Sequence, residues 1–312
     1  MLISICICTF RRPVLLDELL HVLRFQQCAD SFEVVVIDND PAASATQVLE
    51  AQKQYWGERL VCRHISASNI SLARNEAISV ARGEWLAMVD DDELPKEDWL
   101  SQLLQVQQHY SADVVFAPVV PRYLPDTPDW LIKGGYFERP RMASGTMIDH
   151  KNARSGNVLI RKELLFKLGS TQGFVFDPEF GRTGGEDSLL FRQLELAGAC
   201  MVWCDDAPVS EVVPADRANA AWLLNRSFRT GGLFLKTEMK MAPPEKRFQV
   251  GLKLGFRAIL QAAIAIGLTI LLSPFKPLRA FHWARIAASQ FGKLSVFTHA
   301  PAQAYGAESE KK

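Results

Sequence analysis

Glu84-Trp85-Leu86-Ala87-Met88-Val89-Asp90-Asp91-Asp92-Glu93 joins an apolar run to four consecutive acids. A short apolar run bounded by charge reads as a buried strand, here one that delivers its acids at the carboxyl end. Adjacent carboxylates repel one another, on the order of several kcal/mol where water is scarce, unless a cation or hydrogen-bond donors neutralise them. A hard divalent ion that also holds a phosphate meets that need with oxygen ligands alone. A solvated turn, or a helix beginning around Pro95, would explain the same acids without a ligand.

Outward from this stretch, apolar runs recur at residues 2–8, 33–37, 60–65 and 113–119, separated by segments of helical spacing. Leu15, Leu16, Leu19, Leu20 and Leu23 share one helical face after Pro13, and Ile70, Leu72, Ala73, Ala77, Ile78 and Val80 form a second periodic set. Strands covered by helices on both faces read as continuous apolar runs, so the alternation predicts an α/β fold with a doubly wound, mainly parallel sheet. Ligands of such sheets bind beyond the carboxyl ends of the strands. Polar segments gather there: Thr9, Arg11 and Arg12 after the first strand, Asp38 to Asp40 after the second, Ser66 to Asn69 after the third, and Asp90 to Asp92 after the fourth. Neither GxGxxG nor GxxxxGK[ST] occurs, which disfavours a dinucleotide oxidoreductase or a P-loop enzyme.

Residues 121–151 carry four prolines and several glycines and read as a long irregular segment. Its Trp130 and Tyr136 suit either a substrate-covering loop or an anchor to the domain itself. Ser155-Gly156-Asn157 then precedes a short strand through Arg161. Gly184-Gly185-Glu186-Asp187 opens a helix, where glycines permit a close backbone approach and carboxylates favour the positive helix end. Arg226 and Arg229, three apart, share a helical face that either neutralises a diphosphate or is simply solvated.

Formal net charge is zero, but from Lys246 to Lys312 ten Lys or Arg stand against two Glu, leaving +8 there and −8 in the first 245 residues. Such asymmetry points to a negatively charged surface. Residues 258–275 contain no charge, which favours membrane over nucleic acid. As a helix this run measures roughly 27 Å, slightly short of a hydrocarbon core of about 30 Å. Gln249, Lys253, Arg257, Gln261, Thr269 and Ser273 lie on an i+4 series broken by Ala265, so an interfacial or shallowly inserted helix is expected, followed by a basic-aromatic one over 278–297. A helical pair packed on the remainder of the protein is the alternative. No secretory signal follows Met1, and six cysteines without a CxxC pair suit reduced, buried thiols in the cytosol. Cys200 and Cys204 lack a partnering Cys/His pair for a metal site.

The motifs CTFRRP, VVVIDND, SNISLARNEA, GEWLAMVDDDELP, SGNVLIRKELL and GGEDSLLFRQLELAG, in this order over most of residues 2–230, resemble family 2 glycosyltransferases. Within that family the chain is most similar to bacterial exopolysaccharide glucosyltransferases of the succinoglycan biosynthesis type. The resemblance implies a glycosyltransferase A fold, a nucleotide-diphosphate sugar donor (a UDP-sugar by family habit), a divalent cation (Mn2+ or Mg2+) and inversion at the anomeric carbon. By the same analogy Thr9, Arg11 and Asp38 contact the nucleotide, Arg74 and Asn75 lie near it, and Asp91 sits by the ribose or donor sugar. Asp92 holds the metal with Asp90, and Asp187 is the catalytic base supported by Glu186. The expected layout is a catalytic domain over 1–245, with a nucleotide-sugar half to residue 120 and an acceptor half beyond it. A membrane-associated tail over 246–298 and a flexible end over 299–312 follow. The acceptor is expected to be a lipid-linked saccharide at the cytoplasmic face of the inner membrane, in cell-surface polysaccharide biosynthesis, with no nucleic acid involved.

One departure concerns the metal shell. Where related enzymes often place a histidine, the stretch 207–214 offers Ser210, which leaves Glu211, water or weaker metal binding as alternatives. Two other functions compete: a sugar-phosphate nucleotidyltransferase, for which CTFRRP lacks the usual glycines, and a non-catalytic nucleotide-sugar binding protein, for which the Glu186-Asp187 pair would have no purpose.

Overall fold

The computed structural model describes residues 1–298, so the flexible end expected over 299–312 lies outside the described residues. Strands β1 (Leu2–Thr9), β2 (Ser31–Asp38), β3 (Leu60–His64) and β4 (Trp85–Met88) run parallel in the order β3-β2-β1-β4. Next come β5 (Glu93–Pro95), β6 (Val114–Phe116), β7 (Val119–Tyr123), β8 (Val158–Arg161), β9 (Met201–Trp203) and β10 (Val209–Val213). The large sheet continues β4-β8-β6-β9, with β8 antiparallel to both neighbours, while β5, β10 and β7 form a second, three-stranded sheet. The sheet is thus mainly parallel, as the alternation predicts, with one reversed strand.

The helices are α1 (Pro13–Leu23), α2 (Thr46–Trp56), α3 (Ile70–Val80), α4 (Trp99–Tyr110), α5 (Asp129–Gly134), α6 (Lys162–Gln172), α7 (Glu186–Leu196), α8 (Ala220–Met241), α9 (Arg247–Leu272) and α10 (Pro277–Ser295). Successive residues of a strand face opposite ways, and β1 separates its side chains accordingly. Ile3, Ile5 and Ile7 pack with Leu16, Leu19 and Leu20 of α1 and with α4, whereas Cys6 packs with Ala73 and Ala77 of α3 and with α7. Each such isoleucine, fully buried, contributes roughly 1.5–3 kcal/mol.

Residues 113–119 do not form one strand. The run divides at Ala117-Pro118, because Pro118 has no N–H for a ladder. Its carbonyl instead accepts from Val209 N and from Asn157 Nδ2, and the chain passes from the large sheet (β6) to the small one (β7). The acids Asp90 to Asp92 occupy the equivalent crossing between β4 and β5, so they stand where the two sheets diverge. The helix that follows begins only at Trp99.

Trp130 and Tyr136 act as anchors. Both rings meet Phe281 of α10 edge-on at 5.2 Å, and Tyr136 donates to the Leu278 carbonyl, which fixes the segment after β7 against the tail. A Cβ added at Gly231 or Gly292 would overlap backbone of Ser289 or Phe228, so α8 and α10 touch main chain to main chain. In α9 the inward stripe is small: Gly251, Gly255, Ala258, Ala262 and Ala265. Its outward residues are large and apolar, including Phe256, Ile264 and Ile270, each at least 60% exposed. Pro244–Leu272 is the one helix among the described residues long and apolar enough to cross a membrane, with mean hydropathy 1.9.

Candidate active site

Polar side chains converge at the carboxyl edge of the parallel strands. Thr9 ends β1 in register with Asp38 of β2, and its hydroxyl donates to Asp91 Oδ2 at 2.8 Å. Asp38 accepts from the N–H groups of Asp40 and Ala45, both at 2.9 Å, and so ties down the loop after β2. Arg11 adopts φ +57, in the left-handed region that few non-glycine residues occupy. It donates to Asp40 at 3.1 Å; although burial works against ionisation, this partner holds the Asp40 carboxyl below its ordinary range. Arg12 turns the other way and bridges Asp91 (2.9 Å) and Asp92 (2.7 Å) through one nitrogen.

Burial pushes the Asp91 carboxyl up to about 6, with Arg12 opposing the shift and Asp92 adding to it. The Asp90 carboxyl is also raised, by the protein packed around one side of it and by Asp92, against the pull of Arg74; its other side is open. Beneath it lies Glu93, 2% exposed, which accepts from the Asp90 N–H at 3.0 Å; burial and then Asp90 drive its carboxyl well up. Gly156 makes this stack possible, since a Cβ there would lie 2.5 Å from Glu93 Oε1 and 3.2 Å from Asp90 Oδ2.

Arg74 of α3 connects the triad to the second acidic motif. One guanidinium nitrogen meets Glu186 at 2.5 Å and another faces Asp90 at 3.5 Å. Glu186 is 4% exposed, and its Oε2 is buried with no hydrogen-bond partner. Burial lifts its carboxyl to about 7, with Arg74 opposing and Asp187 reinforcing the rise. Gly184 and Gly185, at φ +85 and +95, turn the chain into α7 so that Glu186 and Asp187 occupy its first turn. Asp187 is partly exposed; its Oδ1 accepts from Ser188 N at 2.6 Å, and Oδ2 takes no part in that bond.

Asn75 reaches the 175–176 backbone rather than the acids: Nδ2 donates to the Phe176 carbonyl, and Oδ1 accepts from Val175 and Phe176. Asn69 caps α3 through Leu72 N and donates to the Pro178 carbonyl. The SNISLARNEA segment therefore clamps the loop that presents Glu186 and Asp187. Asn157, fully buried at φ +57, is a hub that sequence reasoning missed. It donates to the carbonyls of Pro118 and Ala207 and accepts from Trp99 Nε1. Ser155-Gly156-Asn157 had signalled only a turn; an asparagine directly before an apolar strand was the available clue.

Ser210 sends its hydroxyl toward the Leu94 carbonyl at 3.4 Å, away from any metal role. Glu211 lies opposite Glu93 in the small sheet and pairs with Arg217 at 3.5 Å. Its carboxyl is raised by burial and then by Asp92, with a further push from Asp90, so Glu211 and the triad share one field. Among the described residues, no group of three His, Cys, Asp or Glu is gathered as a metal shell; the triad is instead paired with Arg12 and Arg74. In chemistry the donors fit a hard divalent ion: oxygen ligands only, their carboxyls raised first by burial and further by one another.

Residues 4–169 match the family model for Glycosyl transferase family 2. The chain is 34% identical over 232 residues to the succinoglycan biosynthesis protein ExoM of Rhizobium meliloti (strain 1021), covering 73% of this chain and 72% of that protein. The fold is similar to that of mannosyltransferase PcManGT from Pyrobaculum calidifontis in complex with GDP-Man and Mn2+, with TM-score 0.63, 19% identity, and 95% and 87% of the two chains covered. It is also similar to that of S. aureus TarS 1-349 in complex with UDP-GlcNAc, with TM-score 0.54, 17% identity, and 95% and 91% covered. Acids at the crossing of two sheets, a Gly-Gly-Glu-Asp helix start tied to them through Arg74, and these matches agree: the chain belongs to glycosyl transferase family 2.

Proposed function

We propose that the protein is an inverting, metal-dependent glycosyltransferase that moves a sugar from a nucleotide-diphosphate sugar, a UDP-sugar, to a hydroxyl of a lipid-linked saccharide in bacterial polysaccharide biosynthesis. The observation that carries this reading is the Arg74 bridge, which holds Asp90 of the triad and Glu186 beside Asp187 in one site. A UDP-GlcNAc complex and a GDP-Man/Mn2+ complex among proteins of the same fold support the donor and the cation.

Asp92 and Asp90 would hold Mn2+ or Mg2+, with Glu211 adding negative charge beside them. When bound, the cation supplies Lewis-acid stabilisation of charge on the leaving diphosphate. Asp187 takes the proton of the attacking acceptor hydroxyl from the opposite side of the sugar, which requires a carboxylate within hydrogen-bond reach. Glu186 and Arg74 position it, and the α3 clamp fixes the loop. Thr9, Arg11 and Asp38 shape the nucleotide end; Asp38 does so by ordering the 39–45 loop.

The catalytic domain takes residues 1–245, and the tail over 246–298 lays the outer face of α9 into the cytoplasmic surface of the membrane. Exposed Phe256, Ile264 and Ile270 beside exposed Lys253 and Arg257 suit an interfacial helix. The test is calorimetric binding of a panel of nucleotide sugars, with and without manganese, to wild type and Asp92→Asn. Manganese-dependent binding of one sugar nucleotide, weakened in Asp92→Asn, is expected; no binding of any sugar nucleotide would end the reading.

A further inference from the structure

A cavity of about 490 Å³ opens between the small sheet and α8. Every residue lining it falls between Val119 and Leu233, so the parallel strands β1–β4 and their nucleotide-side loops contribute nothing. Thr183 and Gly184, which lead into Glu186-Asp187, form part of its wall, and Glu211 forms another. The cavity therefore adjoins the reacting centre from the side away from the nucleotide half.

Its charge is one-sided. Arg139, Arg217, Arg226 and Arg229 line it against Glu211 as the sole lining carboxylate, and Glu211 is already paired with Arg217. Among the described residues Arg139, Arg226 and Arg229 make no ion pair. Arg226 lies over the Trp222 ring at 5.3 Å, and Trp222 in turn stacks on Phe137 at 5.7 Å and 21°. Burial, and next the neighbouring Arg139, depress the Arg226 guanidinium to about 10. Crowded guanidinium groups in a recess repel one another, and an anion that accepts several N–H bonds at once relieves that repulsion.

The position of α8 indicates what carries the anion. Trp222, Arg226, Arg229 and Leu233 project from one face of the helix into the cavity, while Gly231 and Gly232 meet α10 on another. Arg285 of α10 donates to Ser227 at 3.4 Å, the residue after Arg226. Through α10 the cavity wall is fastened to α9 and its exposed apolar face. An anion attached to an apolar chain would find both parts of its chemistry here.

We propose that this cavity binds a phosphate group of the acceptor, a phosphorylated lipid that carries the receiving saccharide, through Arg139, Arg226 and Arg229. The assignment deepens the proposed function and rests on the glycosyltransferase reading of the adjoining site. It makes these arginines acceptor-binding residues, separate from Arg11, Arg12 and Arg74 on the donor side.

The test uses the full chain in mild detergent and calorimetric titration with farnesyl phosphate, farnesol, inorganic phosphate and, separately, UDP with manganese. Wild type is expected to bind farnesyl phosphate about tenfold or more tightly than inorganic phosphate and to show no saturable binding of farnesol. Arg226→Gln/Arg229→Gln is expected to lose about tenfold or more in affinity for farnesyl phosphate and to keep wild-type affinity for UDP. Should that variant fail to fold, Arg139→Gln carries the same expectation. Unchanged farnesyl phosphate binding by a folded variant overturns the proposal, as does a parallel loss of UDP, which would assign the arginines to the donor. Equal affinity for inorganic and farnesyl phosphate overturns the lipid source, and equal affinity for farnesol overturns the phosphate. If UDP fails to bind wild type while farnesyl phosphate binds and the variant loses it, the glycosyltransferase reading falls and the phosphate site stands.

Discussion

Replacing Arg74 by Met removes the charge that joins the two acidic motifs while keeping much of the side-chain length. Arg74 is 9% exposed and Glu186 5% by side chain, so the pair is a buried one, and deleting one partner of such a pair typically costs about 3–5 kcal/mol. Glu186 limits that cost by taking a proton, since its carboxyl already stands near 7. Each further unit of upward shift corresponds to about 1.4 kcal/mol. Because that carboxyl is half protonated at pH 7, an upward shift of about two units on losing Arg74 costs roughly 0.4 kcal/mol at pH 7 and about 1.4 kcal/mol at pH 8. The sign with pH follows from the direction of the shift. A carboxyl raised in the folded state is destabilising once pH passes its unfolded value, so the penalty of Arg74→Met should be small near pH 4–5, where Glu186 is protonated when folded, and largest near pH 8. Urea unfolding of wild type, Arg74→Met, Glu186→Gln and the double variant at pH 5 and pH 8 measures the coupling directly. A coupling below about 0.5 kcal/mol at pH 8, or a penalty that grows toward pH 5, would refute the bridge as the link between the motifs.

Other positions give independent checks. Asn157→Ala strands Trp99 Nε1 and the Pro118 and Ala207 carbonyls in the interior, for a loss of roughly 3–5 kcal/mol; Asn157→Gly, which tolerates the positive φ, should fail to restore urea stability. Gly156→Ala should push Glu93 and Asp90 apart and weaken manganese-dependent nucleotide binding several-fold by calorimetry, with thermal stability changed by only a few degrees. Gly292→Val drives a side chain into the Phe228 carbonyl, so limited proteolysis should cut faster around residues 243–246 as α10 leaves α8.

Local pattern made much of this architecture legible. Alternating isoleucines in β1, the leucine face of α1 and the apolar run before Asp90 each follow from burial on a regular backbone, and strand ends located Thr9, Asp38 and the triad at one edge. Direction and partnership were less accessible. Residues 158–161 read as a strand, yet nothing in their sequence states that β8 runs against β4 and β6. The break at Pro118 was visible as a proline but became meaningful only through Asn157, 39 positions away. Arg74 lies 112 positions from Glu186, and Asn75 lies 101 from Phe176. Such pairings are set by topology, which a periodicity of 2 or 3.6 does not encode. For the same reason Arg226 and Arg229 were recognisable as one helical face, whereas Arg139 and Arg217 joined them only in the folded cavity.

The central claim is that Asp187 deprotonates the acceptor in a site where Asp90 to Asp92 hold the donor. The most direct measurement compares wild type with Asp187→Asn for donor binding and for acceptor-dependent nucleotide release, using membranes that supply lipid-linked saccharide. The account predicts that Asp187→Asn binds the nucleotide sugar within about twofold of wild type while release falls by roughly 100-fold or more. Sugar transfer by Asp187→Asn at the wild-type rate would contradict it.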